Sequence, residues 1–353
     1  MHSSILFIGD IHFQVTNIIQ IDLFIERILK LAEEKSPDLI CVGGDLLHTH
    51  ERLHTIPMNK ACDLVNELRK ISKTIVLVGN HDYIQNQQYL TTNHWMNGLK
   101  EWDNVVIVDK VIVESINDMN FVFVPYVPPG RFIDALDTLC IDGIDWKTSK
   151  CIFAHQEFYG CKMGAIVSVD GDKWPLDYPY VVSGHIHSKQ SPQRNIYYSG
   201  AAMQHAFGES TKNTIPYLMF ESKNDMYELE EIDLNLPRKK IVYMDIEDID
   251  TYEKPETDDT IKLTLKGNYE QFKAIKKTKK YKQLVEKGLK IVFKANQKNQ
   301  EEQENMNVSD GKVGNFNEIL KGLIEDTKDR YLNQTYELVV NNREVELDSI
   351  MYI

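Results

Sequence analysis

The chain has 353 residues, of which 42% are hydrophobic and 26% charged, with a formal net charge of −13. That length exceeds one ordinary core, so two domains with smaller additions are expected, and the acidic balance excludes a surface uniformly attractive to nucleic acid. No stretch reaches the roughly 18 apolar residues that span a bilayer, and five cysteines, an odd number without C-x-x-C spacing, read as reduced residues of an intracellular protein.

Residues 5–8 form a buried apolar strand, entered without a basic leader or small-residue cleavage site, and end in Gly9-Asp10-Ile11-His12. Residues 18–35 have a helical apolar period, which Ser36-Pro37 breaks. A second strand over 38–42 leads to Gly43-Gly44-Asp45, and a second amphipathic helix follows Pro57. The strand over 74–78 then delivers Gly79-Asn80-His81-Asp82. This β-α-β-α-β order predicts a parallel sheet with helices on its faces and ligands beyond the strands' carboxyl ends.

From residue 105 the rhythm changes. Segments 105–108, 111–113 and 121–124 are strand-like with little between them, which suggests antiparallel additions. A proline-rich turn at 125–130 enters a short helix over 133–139. Two further buried strands, 151–154 and 180–183, lead into His155 and into Gly184-His185-Ile186-His187. Segments 196–199, 217–220 and 227–232 are expected to form one closing meander. The fold class is therefore α/β: a two-layered mixed β-sandwich flanked by helices, over residues 1–236. A small α+β module should occupy 237–297, with strands over 241–246, 260–265 and 289–293 and one helix over 269–287. Residues 298–315 have linker composition. Residues 316–353 resume an amphipathic pattern, followed by more helix or a last strand over 336–340, and are expected to be a partner-docking segment. Residues 273–298 hold ten lysines against one acidic residue, Glu286. Such a block suits a phosphate backbone, and equally the solvated face of a helix.

The strand tips make an ordered series, D-x-H … G-D … G-N-H-D … H … G-H-x-H, each member following an apolar run. Carboxylate, imidazole and amide oxygen without thiolate suit Mn²⁺, Fe²⁺ or Zn²⁺ in an open site rather than a closed structural zinc. Four histidines and two aspartates are too many for one open site, whereas two ions sharing Asp45 account for the set. Two close divalent ions acidify a water and clamp phosphate oxygens during in-line displacement.

This series, running in order from residue 10 to 187, resembles the calcineurin-like metallophosphoesterases. The resemblance implies one ion held by Asp10, His12, Asp45 and His187, and a second by Asp45, Asn80, His155 and His185. It also implies an unliganded catalytic His81, oriented by Asp82. Gly44-Asp45-Leu46-Leu47-His48 is similar to the G-D-x-x-H form of SbcD-type DNA-repair nucleases, in which the extra histidine, here His48, assists at the scissile phosphate. Ala154–Gly160 and Asn195–Gly200 look like the recombination exonuclease subunit of T-even phages and its viral relatives.

By that likeness the function is a Mn²⁺-dependent DNA exonuclease or endonuclease acting in double-strand-break repair or recombination. Its substrate is DNA, its partner an SbcC-like coiled-coil ABC ATPase, its expected state a homodimer, and its place the cytoplasm, including that of a phage or large-virus host. The alternatives are a phosphatase or cyclic-nucleotide phosphodiesterase on the same scaffold, and a non-catalytic repair scaffold. One departure stands out. Ser199-Gly200 is followed by Ala201-Ala202-Met203-Gln204-His205 where the phage-type proteins continue with a small residue and proline. His205 reads as a loop residue, and His50, His54 and His94 receive no role.

Overall fold

The structure is a computed structural model that describes residues 2–50, 52–224 and 226–295, with residues 320–321, 323–324, 331–332 and 335–336. The expected linker over 298–315 lies outside the described residues. So do 316–353, apart from those eight positions, all helical. The chain divides into two compact units: Met1–Val242 with Lys254–Lys262 and Gly288–Lys290, and Tyr243–Glu253 with Leu263–Lys287 and Ile291–Ile353.

In the first unit, β1 (His2–Ile8), α1 (Ile18–Lys35), β2 (Leu39–Val42), α2 (Thr55–Ile71) and β3 (Thr74–Leu77) alternate, and the three strands pair in parallel. α1 stops at Ser36, whose left-handed backbone (φ 43°) lets its N–H donate to the Ala32 carbonyl; Pro37 then prevents resumption. β4 (Val105–Val108) is also parallel, with Thr74 opposite Val105. The expected antiparallel addition at 105–108 is therefore corrected. Residues 78–104, including a 3-10 turn at Trp95–Glu101, are long enough to return the chain to the sheet's other end, as a parallel partner requires.

β5 (Ile112–Ile116) and β6 (Met119–Val124) are an antiparallel hairpin turning on Asn117 and Asp118, both with positive φ. α3 (Phe132–Ile141) crosses to β7 (Cys151–His155), parallel to β6. A short exposed hairpin, β8 (Lys162–Met163) and β9 (Ile166–Val167), precedes β10 (Val181–Gly184), parallel to β7. β11 (Gln190–Gln193) and β12 (Ile196–Tyr198) complete this second sheet, in the order β11-β12-β10-β7-β6-β5. β13 (Ile215–Glu221) and β14 (Tyr227–Ile232) return to the first, in the order β14-β13-β1-β2-β3-β4. The expected closing meander is thus split between the two sheets. The intervening residues 199–214 are far longer than a hairpin loop and carry the chain from one sheet to the other.

The strand alternation fills three layers. Ile5, Phe7, Cys41, Ile75 and Leu77 face Phe121, Phe123, Phe153 and Val182 between the sheets, with Phe123 and Phe153 stacked at 5.2 Å. On the outer face of the first sheet, Leu6, Ile8, Ile40, Val42 and Val76 pack against Ile21, Phe24 and Ile28 of α1 and Leu64, Val65 and Leu68 of α2. Val122, Val124, Ile152 and Ala154 meet Phe132 and Leu136 of α3 on the other side. Burial on both faces explains why these strands read as continuous apolar runs. These are the expected mixed sheets flanked by helices.

β15 (Lys239–Asp245), β16 (Thr260–Gly267) and β17 (Lys290–Ala295) form a three-stranded sheet in that order. The second unit carries α4 (Tyr269–Ile275) and α5 (Lys279–Glu286), where one helix was expected over 269–287. Thr278 divides them. Its hydroxyl donates to the Ile275 carbonyl at 2.8 Å and accepts from the Tyr281 N–H at 3.2 Å, ending one helix and capping the next. Phe272 stacks on Phe293 at 4.9 Å, while Lys273, Lys276, Lys277, Lys279 and Lys282 are exposed. All five cysteines are free. Among the described residues no helix is long and apolar enough to cross a membrane.

Candidate metal centre

Five strand ends converge. β1, β2 and β3 of the first sheet carry Asp10 and His12, Asp45, and Asn80 to Asp82; β7 and β10 of the second carry His155, then His185 and His187. The two sheets meet closely enough that a Cβ on Gly184 would lie 2.7 Å from the Gly43 carbonyl oxygen. Asp10 (φ 40°), His12 (φ 49°), Asp45 (φ 52°) and His185 (φ 79°) all adopt left-handed backbone, at a cost of about 1–2 kcal/mol each. The fold holds them there through backbone bonds, including His12 N–H to Asp45 O at 2.9 Å and Gly43 N–H to Ile8 O at 2.7 Å. Two other glycines bear directly on the clustered side chains. A Cβ at Gly79 would fall 2.2 Å from Asp45 Oδ1, and one at Gly44 (φ 98°) 2.5 Å from His155 Nδ1.

All seven expected ligands come together. Asp45 Oδ1 accepts the His81 backbone N–H at 2.8 Å, while its Oδ2 lies 3.3 Å from His155 Nε2 and 3.5 Å from His12 Nε2. Asp10 Oδ1 accepts the His185 N–H at 2.9 Å; its buried Oδ2 has no hydrogen-bond partner. His12 Nε2 and His187 Nε2 are 2.9 Å apart. His155 donates its Nδ1 proton to the Gly43 carbonyl at 2.7 Å and aims Nε2 at Asn80 Oδ1, 3.0 Å away. His185 Nδ1 lies 2.9 Å from that same Asn80 oxygen.

These atoms fall into clusters that share Asp45: Asp10, His12 and Asp45, and Asp45, His155 and His185. Burial opposes every charge here. It lowers His12 well below, and His185 to about 3 against, the ordinary imidazole value. The Asp45–His155 pair resists it: burial acts against both, but mutual attraction holds Asp45 well below the usual carboxylate range and lifts His155 to about 9.

An unpartnered buried carboxylate oxygen and two imidazole lone-pair positions facing one another are what a site for cations presents. The donor set of carboxylate, imidazole and amide oxygen, without sulfur, fits divalent ions. Asp10, His12, Asp45 and His187 would hold one, and Asp45, Asn80, His155 and His185 the other. Ions bound there supply positive charge to phosphate oxygens and acidify water.

Beside the clusters, His81 donates its Nδ1 proton to the His48 backbone carbonyl at 2.7 Å, and the two rings stack at 5.6 Å. His48 is exposed and brings its Nδ1 within 3.4 Å of His12 Nδ1. Asp82, expected to orient His81, does so only through the backbone. Its carboxylate accepts the N–H groups of Gly79 (3.1 Å), Leu47 (3.4 Å) and Trp95 Nε1 (3.0 Å), and burial, with Asp45 nearby, pushes it up to about 6. The orienting contact on the ring is therefore the His48 carbonyl, because the carboxylate is already committed to the loop.

Sequence reasoning missed three participants. His50 stacks on His81 at 4.5 Å. His205, read as a loop residue, packs its ring 4.9 Å from His12 and 5.2 Å from His187. Glu209 brings a carboxylate oxygen 3.8 Å from His187 Nδ1. The one available signal was the unusual stretch after Ser199-Gly200, a strand end beside the one that carries His185. His94, also given no role, is structural: its Nε2 bonds Asp109 at 3.1 Å.

Residues 3–189 match the family description of a calcineurin-like phosphoesterase. The chain is 52% identical over 294 residues to putative phosphoesterase 078R of Invertebrate iridescent virus 3, covering 82% of this chain and 84% of that protein. It is 52% identical over 281 residues to putative phosphoesterase 244L of Invertebrate iridescent virus 6, covering 78% and 98%. Among solved structures, it resembles a dimetal phosphatase from Danio rerio with a TM-score of 0.45 and 10% identity, over 65% of this chain and 95% of that one.

Proposed function

Because the chain belongs to the calcineurin-like phosphoesterase family, and so to the metal-dependent phosphoesterase hydrolases, we propose that it is a Mn²⁺-dependent nuclease that hydrolyses DNA phosphodiester bonds. The observation that carries this reading is the exposed His48 stacked on His81 at the rim of the clusters. A second imidazole beside the first suits a diester, whose leaving group is an alkoxide that needs a proton and whose flanking strand must be held. The exposed lysines of α4 and α5 support a phosphate-backbone partner, while the net charge of −13 is offset where it matters by the ions.

In this reading His81, with its Nδ1 proton committed to the His48 carbonyl, carries a second proton on Nε2 and gives it to the leaving oxygen. Asp82 holds the loop that carries it. The chain works as a homodimer with a coiled-coil ABC-type ATPase of the SbcC kind, docked through residues 316–353, in break repair or recombination. The iridescent-virus relatives support a setting in a virus-infected cell.

The test is substrate preference. The purified chain with Mn²⁺ is assayed on linear duplex DNA, single-stranded DNA, an aryl phosphomonoester and a cyclic nucleotide. Faster turnover of DNA supports the nuclease. Turnover of the small phosphoesters above any DNA cleavage supports the phosphatase or cyclic-nucleotide phosphodiesterase that the same clusters would also serve.

A further inference from the structure

Residues 201–209, where the sequence leaves the pattern of the phage-type nucleases, reach the clusters from behind at two points outside the ligand series. His205 Nε2 lies 2.8 Å from the Asp10 carbonyl oxygen. A carbonyl only accepts, so the ring donates there, and its buried Nδ1 is left without a hydrogen-bond partner. Asp10 has left-handed backbone, and its carbonyl takes this proton. One ring nitrogen each of His12, His187 and His205 lies within 4.8 Å of the others.

Glu209 works from the opposite end of the segment. Its Oε1 is 3.8 Å from His187 Nδ1, the ring nitrogen away from the one that faces His12. Its Oε2 accepts the backbone N–H groups of His205 (2.8 Å) and Ala206 (2.9 Å), so one carboxylate bonds the His205 backbone and stands at ion-pair distance from the His187 ring. Gln204 fixes the base of the loop, accepting the Lys239 N–H at 2.7 Å and donating to the Glu209 carbonyl at 3.2 Å. The two contacts act on Asp10 and His187. Neither touches Asn80, His155 or His185.

We propose that His205 and Glu209 are positioning residues that set the affinity of the ion held by Asp10, His12, Asp45 and His187, without setting that of its neighbour. A carboxylate on the far nitrogen of a ligating imidazole fixes the ring's orientation and raises its basicity, and partners of this kind are worth about 10–100-fold in metal affinity. His205 does for Asp10 what Glu209 does for His187: it pins the backbone from which the carboxylate projects. The proposal rests on the two-ion reading of the clusters, and is independent of which phosphoester is cleaved.

The experiment is calorimetric titration of Mn²⁺ into the metal-stripped full chain, for wild type, His205→Ala, Glu209→Gln and His205→Gln, with thermal unfolding of each metal-free protein to confirm the fold. Wild type is expected to take two ions. His205→Ala and Glu209→Gln should weaken one of them by about 10–100-fold and leave the other within about threefold. His205→Gln, whose amide N–H occupies the place of Nε2–H, should recover most of the loss, which a merely space-filling histidine would not require. Unchanged binding in both variants, equal weakening of both ions, or a His205→Gln as weak as His205→Ala would each overturn the proposal. Fewer than two ions in wild type would overturn the two-ion reading itself, and the proposal with it.

Discussion

The Nδ1 proton of His81 goes to the backbone carbonyl of His48 at 2.7 Å, so the residue read as an assisting histidine also orients the one read as catalytic. His81 is outside the two clusters that share Asp45, and groups with His12 and His48 instead; the family resemblance leaves it unliganded. His81→Ala should therefore keep its metal content while turnover falls by about 10²–10⁴-fold, the usual contribution of a positioned acid or base. Metal analysis beside steady-state kinetics checks this. Loss of an ion from the variant would move His81 into the ligand set.

Gly79 predicts a different failure. A Cβ there would press on Asp45 Oδ1 at 2.2 Å and on the Asp45 backbone nitrogen at 2.4 Å, both buried and unable to yield. Gly79→Ala should lose roughly 2–4 kcal/mol of stability, within the range for strain in a packed interior. It should also lose metal binding, since the displaced carboxylate serves both clusters. Denaturant unfolding and a Mn²⁺ titration report the two effects separately.

Metal binding should release protons. In the metal-free chain burial works against a charge on His155, but Asp45 outweighs it and lifts the imidazole to about 9, so it is protonated at neutral pH. His187 is raised as well, burial being outweighed by Glu209 and Asp10. An ion must displace these protons, so apparent Mn²⁺ affinity rises with pH and levels off above about 9. Titration at pH 7 in two buffers of different ionisation enthalpy measures the protons released; a value of zero would contradict the charge state assigned to His155.

Away from the clusters, Asp109 binds buried His94 at 3.1 Å and pairs with Lys100. Burial acts to raise its carboxyl, but the bonds from His94 and Lys100 prevail and hold it below the ordinary 3.8. A depressed folded value means that its contribution is present above the unfolded value and is lost only as pH falls through the folded one. Asp109→Ala should cost about 1–3 kcal/mol at pH 7, leaving a buried imidazole nitrogen unsatisfied, and less below pH 4. Unfolding at pH 7 and pH 3 tests both the size and the sign.

The ligand set was legible because each member follows an apolar run, and a buried parallel strand can deliver polar side chains only at its end. Position at a strand end was enough to single out Asp10, Asp45, His155 and His185, whereas choosing Asn80 over His81 as a ligand came from the family resemblance. The roles around His81 were not legible, because a backbone carbonyl such as that of His48 leaves no trace in residue identity. His205 and Glu209 lie on the long connection between β12 and β13, which reads as loop until the two sheets are known to meet above it. The same connection explains the misread meander, since nothing in 217–220 says which sheet it joins. Thr278 shows the converse limit: a helical period continued across it while its hydroxyl ended the helix.

The most direct measurement is incubation of the full chain, loaded with Mn²⁺, with linear double-stranded and single-stranded DNA, alone and with the proposed SbcC-like ATPase, with and without a chelator. Chelator-sensitive degradation of DNA is the result predicted here. A chain that holds its Mn²⁺ and leaves both forms of DNA intact, even with the ATPase present, would contradict the nuclease reading.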